Sequence, residues 1–199
     1  MTLADEQTVR ASLAKYETAL FKAVHSGWED WRALQLSGRL IFQARSRACV
    51  VYDFVVQHAI AAFVNDASIM VLTKNETIKF VINDVVVLRF KKASENGLGS
   101  NIQTQSTLDF IEQQQELPGL QSLHKVELVY VLNQLQTRIE DVMIVARDGN
   151  IRLWGYSITA DANPTIVSLP TSVSVDAGHN VRIKLRSIDD GNNQEKGRG

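Results

Sequence analysis

Six short segments rich in β-branched and aromatic residues constrain the fold more than any other feature of the sequence. They fall into two sets of three, 68–73, 77–82 and 85–90, and then 126–133, 139–147 and 151–158. The connections within each set are only a few residues long, whereas a parallel crossover needs about a dozen residues or more. The Asp148-Gly149-Asn150 turn is the strongest hairpin signal. We therefore expect two antiparallel meanders that together contribute about six strands.

Helical periodicity dominates the N-terminal region. Apolar residues recur at three- and four-residue intervals over residues 3–25, and Ser26-Gly27 is expected to end this helix. A longer helix is predicted over 38–65, and another over 104–115, between the two sets of strands. The predicted fold class is α+β, with N-terminal helices packed on an antiparallel sheet of about six strands and one inserted helix.

The 199 residues suit one domain of ordinary size. We expect the helical N-terminal region 1–66 and the β-rich region 67–188 to belong to the same domain. Residues 189–199 are polar and rich in Gly and Asn, which predicts a disordered tail.

Composition and motifs exclude several classes of protein. The net charge of −1 means that nucleic-acid binding would need a local basic patch. The acidic, polar start is unlike a signal peptide, and no apolar run is long enough to cross a bilayer. The single Cys49 has no disulfide partner, so we expect a cytoplasmic protein that does not bind membranes. The sequence contains no HExxH, paired CxxC, P-loop or GxGxxG motif, so no metal or cofactor is expected.

The candidate ligand surface lies where the apolar segment 85–90 ends. It combines cations with side-chain amides, namely Arg89, Lys91, Lys92, Asn101, Gln103 and Gln105. Guanidinium and ammonium groups suit phosphate oxygens, and amides supply the paired donors and acceptors that base edges require. Strand alternation places Arg89 and Lys91 on one face and Lys92 on the other. The alternative is a solvated strand end whose lysines discourage edge pairing.

Arginines of the long predicted helix are a second source of positive charge. Arg39, Arg45 and Arg47 extend the basic surface if this helix packs beside the strand end. The alternative is that they are ordinary solvated residues of a helix.

A metal-dependent nuclease of the restriction-enzyme type is a further alternative. Such an enzyme needs a carboxylate, and then a second acid and a lysine on one strand, to hold Mg²⁺ and activate water. Asp84 and Lys91 fit two of these positions, but Arg89 stands where the second acid belongs. A cation at that position repels the metal.

Two aromatic residues of one predicted strand are candidates for partner binding. Trp154 and Tyr156 share a face, which can anchor a base or a partner protein if it is exposed. If the face points inward they are core residues, and the second arrangement is favoured. On neighbouring strands, Glu127 and Glu140 are candidates for cross-strand ion pairs with Lys125 or Arg138.

Two segments carry a resemblance to a group of bacterial proteins. They are VVLRFKK followed closely by NIQTQ, and then ELVYVLNQLQTRIEDVMIVARDGNIRLWGYSI. Over about residues 84–158 the chain resembles a family encoded beside zinc metallopeptidases of the ImmA/IrrE type. The resemblance implies a cytoplasmic bacterial protein in a regulatory, toxin–antitoxin or phage-defence locus, with a peptidase as a candidate partner. It implies no catalytic residues.

Two classes of function remain open from the sequence. The first is a binding protein that contacts nucleic acid or a phosphate-rich ligand through the basic and amide surface. The second is an adaptor or antitoxin-like subunit that binds a metallopeptidase or a toxin. The near-neutral net charge favours protein binding, whereas the group of cations and amides favours nucleic acid. An enzymatic role is left open and is not favoured.

Overall fold

The computed structural model of the chain describes residues 3–37, 42–74, 77–94, 96–100, 105–112 and 123–160. The helices in these residues are α1 (Glu6–Leu13), α2 (Glu17–Leu36), α3 (Ala44–Phe63) and α4 (Gln105–Ile111). Asp5 caps α1, because its carboxylate accepts a hydrogen bond of 2.8 Å from the Thr8 amide. The predicted helix over 3–25 is thus two helices, and the longer predicted helix corresponds to α3.

The expected helix end at Ser26-Gly27 is wrong, because α2 continues through it to Leu36. Gly27 is buried where α2 crosses α3. A Cβ atom on Gly27 would lie 2.6 Å from the Val55 backbone nitrogen. The glycine therefore allows two helices to approach closely and does not act as a helix end.

The strands of the described residues agree closely with the two predicted sets. They are β1 (Ile69–Lys74), β2 (Thr77–Ile82), β3 (Val86–Ala93), β4 (His124–Leu132), β5 (Ile139–Asp148) and β6 (Ile151–Ser157). Each set is an antiparallel meander, as predicted. Asn83 and Asp84 both have positive φ (54° and 53°), the geometry of a tight two-residue turn between β2 and β3. Gly149 has a φ of 56° in the turn between β5 and β6.

The two meanders join through a parallel pair. The strands form one sheet in chain order, and β3 and β4 run in the same direction. The connection between them contains α4 and is long enough for a crossover. The α+β class is confirmed, and the sheet is mixed where an antiparallel one was expected. The carboxyl ends of β3 and β4, at Ala93 and Leu132, consequently lie at the same edge of the sheet.

The sheet is covered on both faces. Helices α1, α2 and α3 pack on one face over apolar side chains that include Phe80, Leu88, Phe90, Leu128 and Ile144. On the opposite face α4 inserts Phe110 against Val81 and Val87. That second face also carries the buried charged side chains Arg89, Lys125, Glu127 and Arg147.

The described residues belong to one compact unit, which contains both the N-terminal helices and the sheet. The predicted end of the β-rich region at residue 188 and the predicted tail 189–199 lie outside the described residues. None of the helices in the described part of the chain has the length and apolar character needed to cross a bilayer.

Candidate functional site

The structure separates the predicted ligand-binding residues of β3 onto two faces of the sheet. Leu88 and Phe90 belong to the core beneath the N-terminal helices. Arg89 and Lys91 therefore project from the opposite face, whereas Lys92 lies on the helix-covered side. The predicted alternation is confirmed, and it divides a set of cations that are adjacent in sequence.

Arg89 lies inside the fold. Its side chain is only 3% exposed, and that of its partner Glu127 only 1%. Arg89 donates hydrogen bonds from Nε and Nη2 to Glu127 Oε1, at 3.0 and 2.5 Å. Its guanidinium carbon also lies 4.1 Å from the centre of the Phe110 ring, a cation–π contact. Burial lowers the pKa of Arg89 and the Glu127 carboxylate opposes that shift. Arg89 is thus a structural residue and not part of an exposed ligand surface.

Arg147 is a second arginine that lies close to Glu127. Its Nη1 atom lies 3.6 Å from Glu127 Oε2 and donates a hydrogen bond of 3.1 Å to the Gly99 carbonyl oxygen. Within the described part of the chain, Glu127 Oε2 accepts no hydrogen bond. We call Arg89, Glu127 and Arg147 the buried charge cluster. One carboxylate thus holds two arginines between the sheet and the chain that covers it.

The expected pairing of Glu127 with Lys125 or Arg138 is wrong. The register of the parallel pair sets Arg89 directly beside Glu127, and that neighbour is apparent only once β3 and β4 are known to pair. Lys125 instead donates a hydrogen bond of 2.9 Å to the Asp109 carbonyl oxygen of α4.

Lys91 lies beside the buried charge cluster and is half-buried. Burial lowers the pKa of Lys91, and the neighbouring Arg89 lowers it further. The loop after β3 covers this region, since a Cβ atom on Gly99 would lie 2.7 Å from Glu127 Oε2 and 2.9 Å from Lys91 Cβ. The loop after β3 therefore covers part of the Lys91 side chain.

Lys92 and Arg47 meet at one amide oxygen on the other side of the sheet. Lys92 Nζ lies 3.4 Å from Gln136 Oε1, and Arg47 Nη2 donates to the same oxygen. The sequence left open whether the arginines of the long helix lie beside the strand end, and Arg47 does lie next to Lys92. Arg45 lies exposed in the first turn of α3, and Arg39 is outside the described residues.

Neither Lys92 nor Arg47 forms an ion pair with a carboxylate of the described residues. Partial burial lowers the pKa of Lys92, and the positive charge of Arg47 lowers it further. Gln136 itself has a φ of 53°, a conformation that costs free energy in a residue other than glycine. The structure therefore holds two like charges together through a strained amide residue.

A cleft of about 600 Å³ opens beside this pair, at the carboxyl ends of β3 and β4. We call it the strand-end cleft. The loop that follows each strand forms one of its walls. The lining residues are Lys92, Ala93, Ser94, Asn96, Ser100, Val131, Leu132, Asn133, Gln134 and Gln136.

The polar groups that face this cleft are mainly hydrogen-bond donors. Asn96 Oδ1 accepts hydrogen bonds from Ser94 Oγ and the Leu98 amide, at 2.6 and 2.9 Å. Gln136 Oε1 accepts from Lys92 and Arg47, and the reverse orientation would point its amide N–H groups at two cations. With these oxygens occupied, the NH₂ groups of Asn96 and Gln136 remain to meet a ligand. Amide donors beside the Lys92 ammonium group suit an oxyanion.

The sequence prediction missed the loop after β4. Asn133, Gln134 and Gln136 follow that strand as a second run of amides, but their nearness to Lys92 depends on the parallel pairing. Of the predicted amides, Asn101 and Gln103 are outside the described residues. Gln105 is the first residue of α4.

The proposed partner anchors are parts of the core. Tyr156 is 7% exposed, and its hydroxyl donates a hydrogen bond of 2.9 Å to Glu17 of α2. Trp154 is half-buried and donates from Nε1 to the Ala4 carbonyl oxygen at 2.6 Å. The favoured inward arrangement of Trp154 and Tyr156 is the one observed, and it attaches the N-terminal helices to β6.

The nuclease arrangement does not assemble among the described residues. Asp84 is exposed in the turn before β3 and is seven positions from Lys91, roughly 23 Å along an extended strand. Arg89, at the position of the missing acid, is already paired with Glu127. The described residues contain no group of three or more His, Cys, Asp or Glu side chains placed to hold a metal ion.

The sequence matches no protein-family model, and no curated protein or solved structure shows significant similarity to the chain.

Proposed function

We propose that this protein binds a phosphate-rich ligand, nucleic acid included, in the strand-end cleft. The observation that carries the proposal is the convergence of Arg47 and Lys92 on Gln136 without a carboxylate of the described residues to neutralise them. Arg89, by contrast, has its counter-charge inside the fold.

An anion bound between Arg47 and Lys92 would replace the repulsion between these two cations with attraction. Both cationic nitrogens contact one oxygen, so they lie within about 7 Å of each other, where repulsion near a protein surface is on the order of 1 kcal/mol. A phosphate between them replaces that repulsion with two charge-assisted hydrogen bonds. In the free protein no carboxylate of the described residues neutralises either charge, so both cations can contact a phosphate.

The place of the cleft in the fold supports the same function. In open sheets with parallel strands, ligands bind in crevices outside the carboxyl ends of those strands. The strand-end cleft occupies this position for β3 and β4. Its volume also falls in the range of about 300–1,000 Å³ that small-molecule sites occupy.

A salt-titrated binding assay tests this function with three variants. Single- and double-stranded DNA, RNA and inorganic pyrophosphate are the probes. We expect Lys92→Gln and Arg47→Gln each to weaken binding about tenfold, and to lower the slope of log affinity against log salt for nucleic acids by about one. Equal affinity of these variants and the unaltered protein for all probes would refute the proposal.

Lys91→Gln is the matched control. It removes the same charge from the adjacent residue of β3, but on the opposite face of the sheet. We expect it to leave affinity and salt slope unchanged. If Lys91→Gln and Lys92→Gln weaken binding equally, the overall charge and not the cleft determines the affinity.

The biological setting is part of the proposal. The resemblance over residues 84–158 supports a bacterial, cytoplasmic component of a regulatory, toxin–antitoxin or phage-defence locus. The reading frames next to the gene test this directly. A neighbouring metallopeptidase or toxin is expected, and consistent absence of both from the gene's neighbourhood across genomes would contradict it.

A second candidate function is protein binding through the edge strand β1. Met70 and Val71 are 47% and 39% exposed, and β1 pairs with β2 alone among the described strands. An exposed apolar edge can add a strand from a partner. A photo-crosslinker at Val71 should capture, in the host cell, the peptidase or toxin that is encoded next to this gene. Capture of neither protein would count against this function.

A further inference from the structure

We infer that the ligand of the strand-end cleft is a nucleotide bearing a terminal phosphomonoester, either a free mononucleotide or the phosphorylated end of a strand. This inference rests on the proposed function and specifies which phosphate is bound. Three features of the cleft support it, namely its positive charge, its shape and its side-chain amides.

The charge of the site matches a phosphomonoester better than an internal phosphate. Lys92 and Arg47 supply two positive charges at one point. A terminal phosphomonoester carries about −1.5 to −2 at pH 7, whereas each internal phosphodiester of a nucleic acid carries one negative charge. A single terminal phosphate therefore neutralises both cations.

The shape of the site suits one nucleotide and not a long strand. The loop after β3 is folded back on itself, since the Ser100 amide donates to the Lys92 carbonyl oxygen at 2.8 Å. The loop after β4 is closed by a hydrogen bond of 3.1 Å from the Asn133 amide to the Arg138 carbonyl oxygen. The cleft is thus bounded by two closed loops. Proteins that bind single strands without sequence preference need a basic groove with stacking aromatic residues, and the described lining contains no aromatic residue.

Apolar packing contributes little to the binding of a base at this site. Ala93 and Leu132 are only 3% and 8% exposed, and Val131 is the partly buried apolar residue of the lining. A base in the cleft is therefore held mainly by the polar side chains of the two loops while its phosphate meets Lys92 and Arg47.

Two amides are free to contact the edge of such a base. Gln134 is exposed, and its amide forms no hydrogen bond to a described residue. Asn96 presents its NH₂ group because its oxygen is occupied within the loop. Side-chain amides provide donors and acceptors at a spacing that base edges match.

Calorimetry with the full chain tests the inference against a defined set of probes. The probes are inorganic phosphate, the four ribonucleoside monophosphates, the four nucleosides, and one short RNA carrying either a 5′-phosphate or a 5′-hydroxyl. We expect at least one monophosphate to bind about tenfold tighter than both inorganic phosphate and its own nucleoside. Affinity should fall below about pH 6, where the phosphate gains a proton. Tighter binding of the 5′-phosphorylated RNA than of the monophosphates would identify a strand end as the source.

Paired variants separate the roles of the cleft residues. Lys92→Gln should weaken inorganic phosphate and monophosphate alike. Gln134→Ala should reduce only the preference for the monophosphate over phosphate. Gln134 is exposed and its side chain forms no hydrogen bond to a described residue, so the fold should be retained, and circular dichroism verifies it.

The failures of the two proposals are distinguishable. If phosphate binds as tightly as every monophosphate, or if the 5′-hydroxyl RNA binds as tightly as the 5′-phosphorylated one and tighter than the monophosphates, the inference is wrong and the proposed function stands. If no phosphate-bearing probe binds, the proposed function is wrong as well.

Discussion

The buried charge cluster and the strand-end cleft both contain cations of β3, at neighbouring positions of that strand. Among the described residues, only the cluster pairs its cations with a carboxylate. In the cluster, Glu127 pairs with Arg89 and Arg147, and all three side chains are buried. At the cleft, Lys92 and Arg47 share only an amide oxygen. The difference shows that neighbouring cations of one strand can be paired inside the fold or left without a carboxylate of the described residues. The two kinds of cation should differ in their effects on stability.

The largest expected effect is that of Glu127→Gln. This change keeps the side-chain size but leaves Arg89 and Arg147 buried without their carboxylate. Loss of one partner of a buried ion pair costs about 3–5 kcal/mol, so urea unfolding should show a decrease of that size in the free energy of unfolding. Glu140→Gln, on the exposed part of β5, is the control and should change it by less than about 0.5 kcal/mol. A similar small loss for both variants would mean that the cluster contributes nothing.

Gly99→Ala should have a smaller effect. The added methyl group would lie 2.7 Å from Glu127 Oε2, so the loop must move away from the sheet. Overpacking of this kind costs about 1–3 kcal/mol, and the thermal midpoint should fall accordingly. Because the same loop forms a wall of the strand-end cleft, phosphate binding should weaken too. Ser100→Ala, one residue further and exposed, should leave the midpoint unchanged, and equal midpoints for both variants would contradict the close contact.

Lys125 provides a pH-dependent effect on the same face as the cluster. Burial lowers the pKa of Lys125 from 10.5 to about 8, although nearby carboxylates of Asp148 and Asp109 oppose the shift. Between about pH 8 and 10.5 the unfolded chain binds more protons at this residue than the folded chain. The free energy of unfolding should therefore rise with pH in that window, by at most about 1.4 kcal/mol per unit.

Lys125→Met should remove this rise. Urea midpoints of the two proteins, measured from pH 7 to 10.5, should diverge as the pH increases. Parallel pH profiles would show that Lys125 titrates in the folded protein as it does in the unfolded chain.

The smallest stability effect is expected at the strand-end cleft. Lys92→Gln and Arg47→Gln remove a repulsion on the order of 1 kcal/mol and break no ion pair of the described residues, so the free energy of unfolding should change by no more than about 1 kcal/mol. Any change should be towards greater stability. A loss above about 1.5 kcal/mol in chemical unfolding would place Lys92 and Arg47 among the structural cations.

Local patterns predicted most of the fold. The two meanders follow from β-branched segments and short turns, and positive φ values at Asn83, Asp84 and Gly149 show why those turns close. The parallel pairing of β3 with β4 could not be predicted in the same way, because it joins strands separated by a long connection. Gly27 was misjudged for a related reason, since its role depends on Val55 of another helix.

The site was predictable only in part. Strand alternation separated Arg89 from Lys92, and helix packing beside the strand end, which the sequence left open, brought Arg47 next to Lys92. The sequence alone could not distinguish a paired arginine from an available lysine. That distinction depends on Glu127 and on Gln136, which lie on a strand and a loop distant in sequence.

The central claim is that a phosphate binds at Lys92, Arg47 and Gln136. Nuclear magnetic resonance of the side chains during titration with a ribonucleoside monophosphate tests it most directly. The claim predicts that the Gln136 side-chain amide and the Lys92 ammonium resonances shift with the affinity found by calorimetry, while the Arg89 Nε–H resonance stays in place. Shifts at Arg89 and Lys91 with no change at Gln136 would contradict it, because the anion would then bind on the opposite face of the sheet.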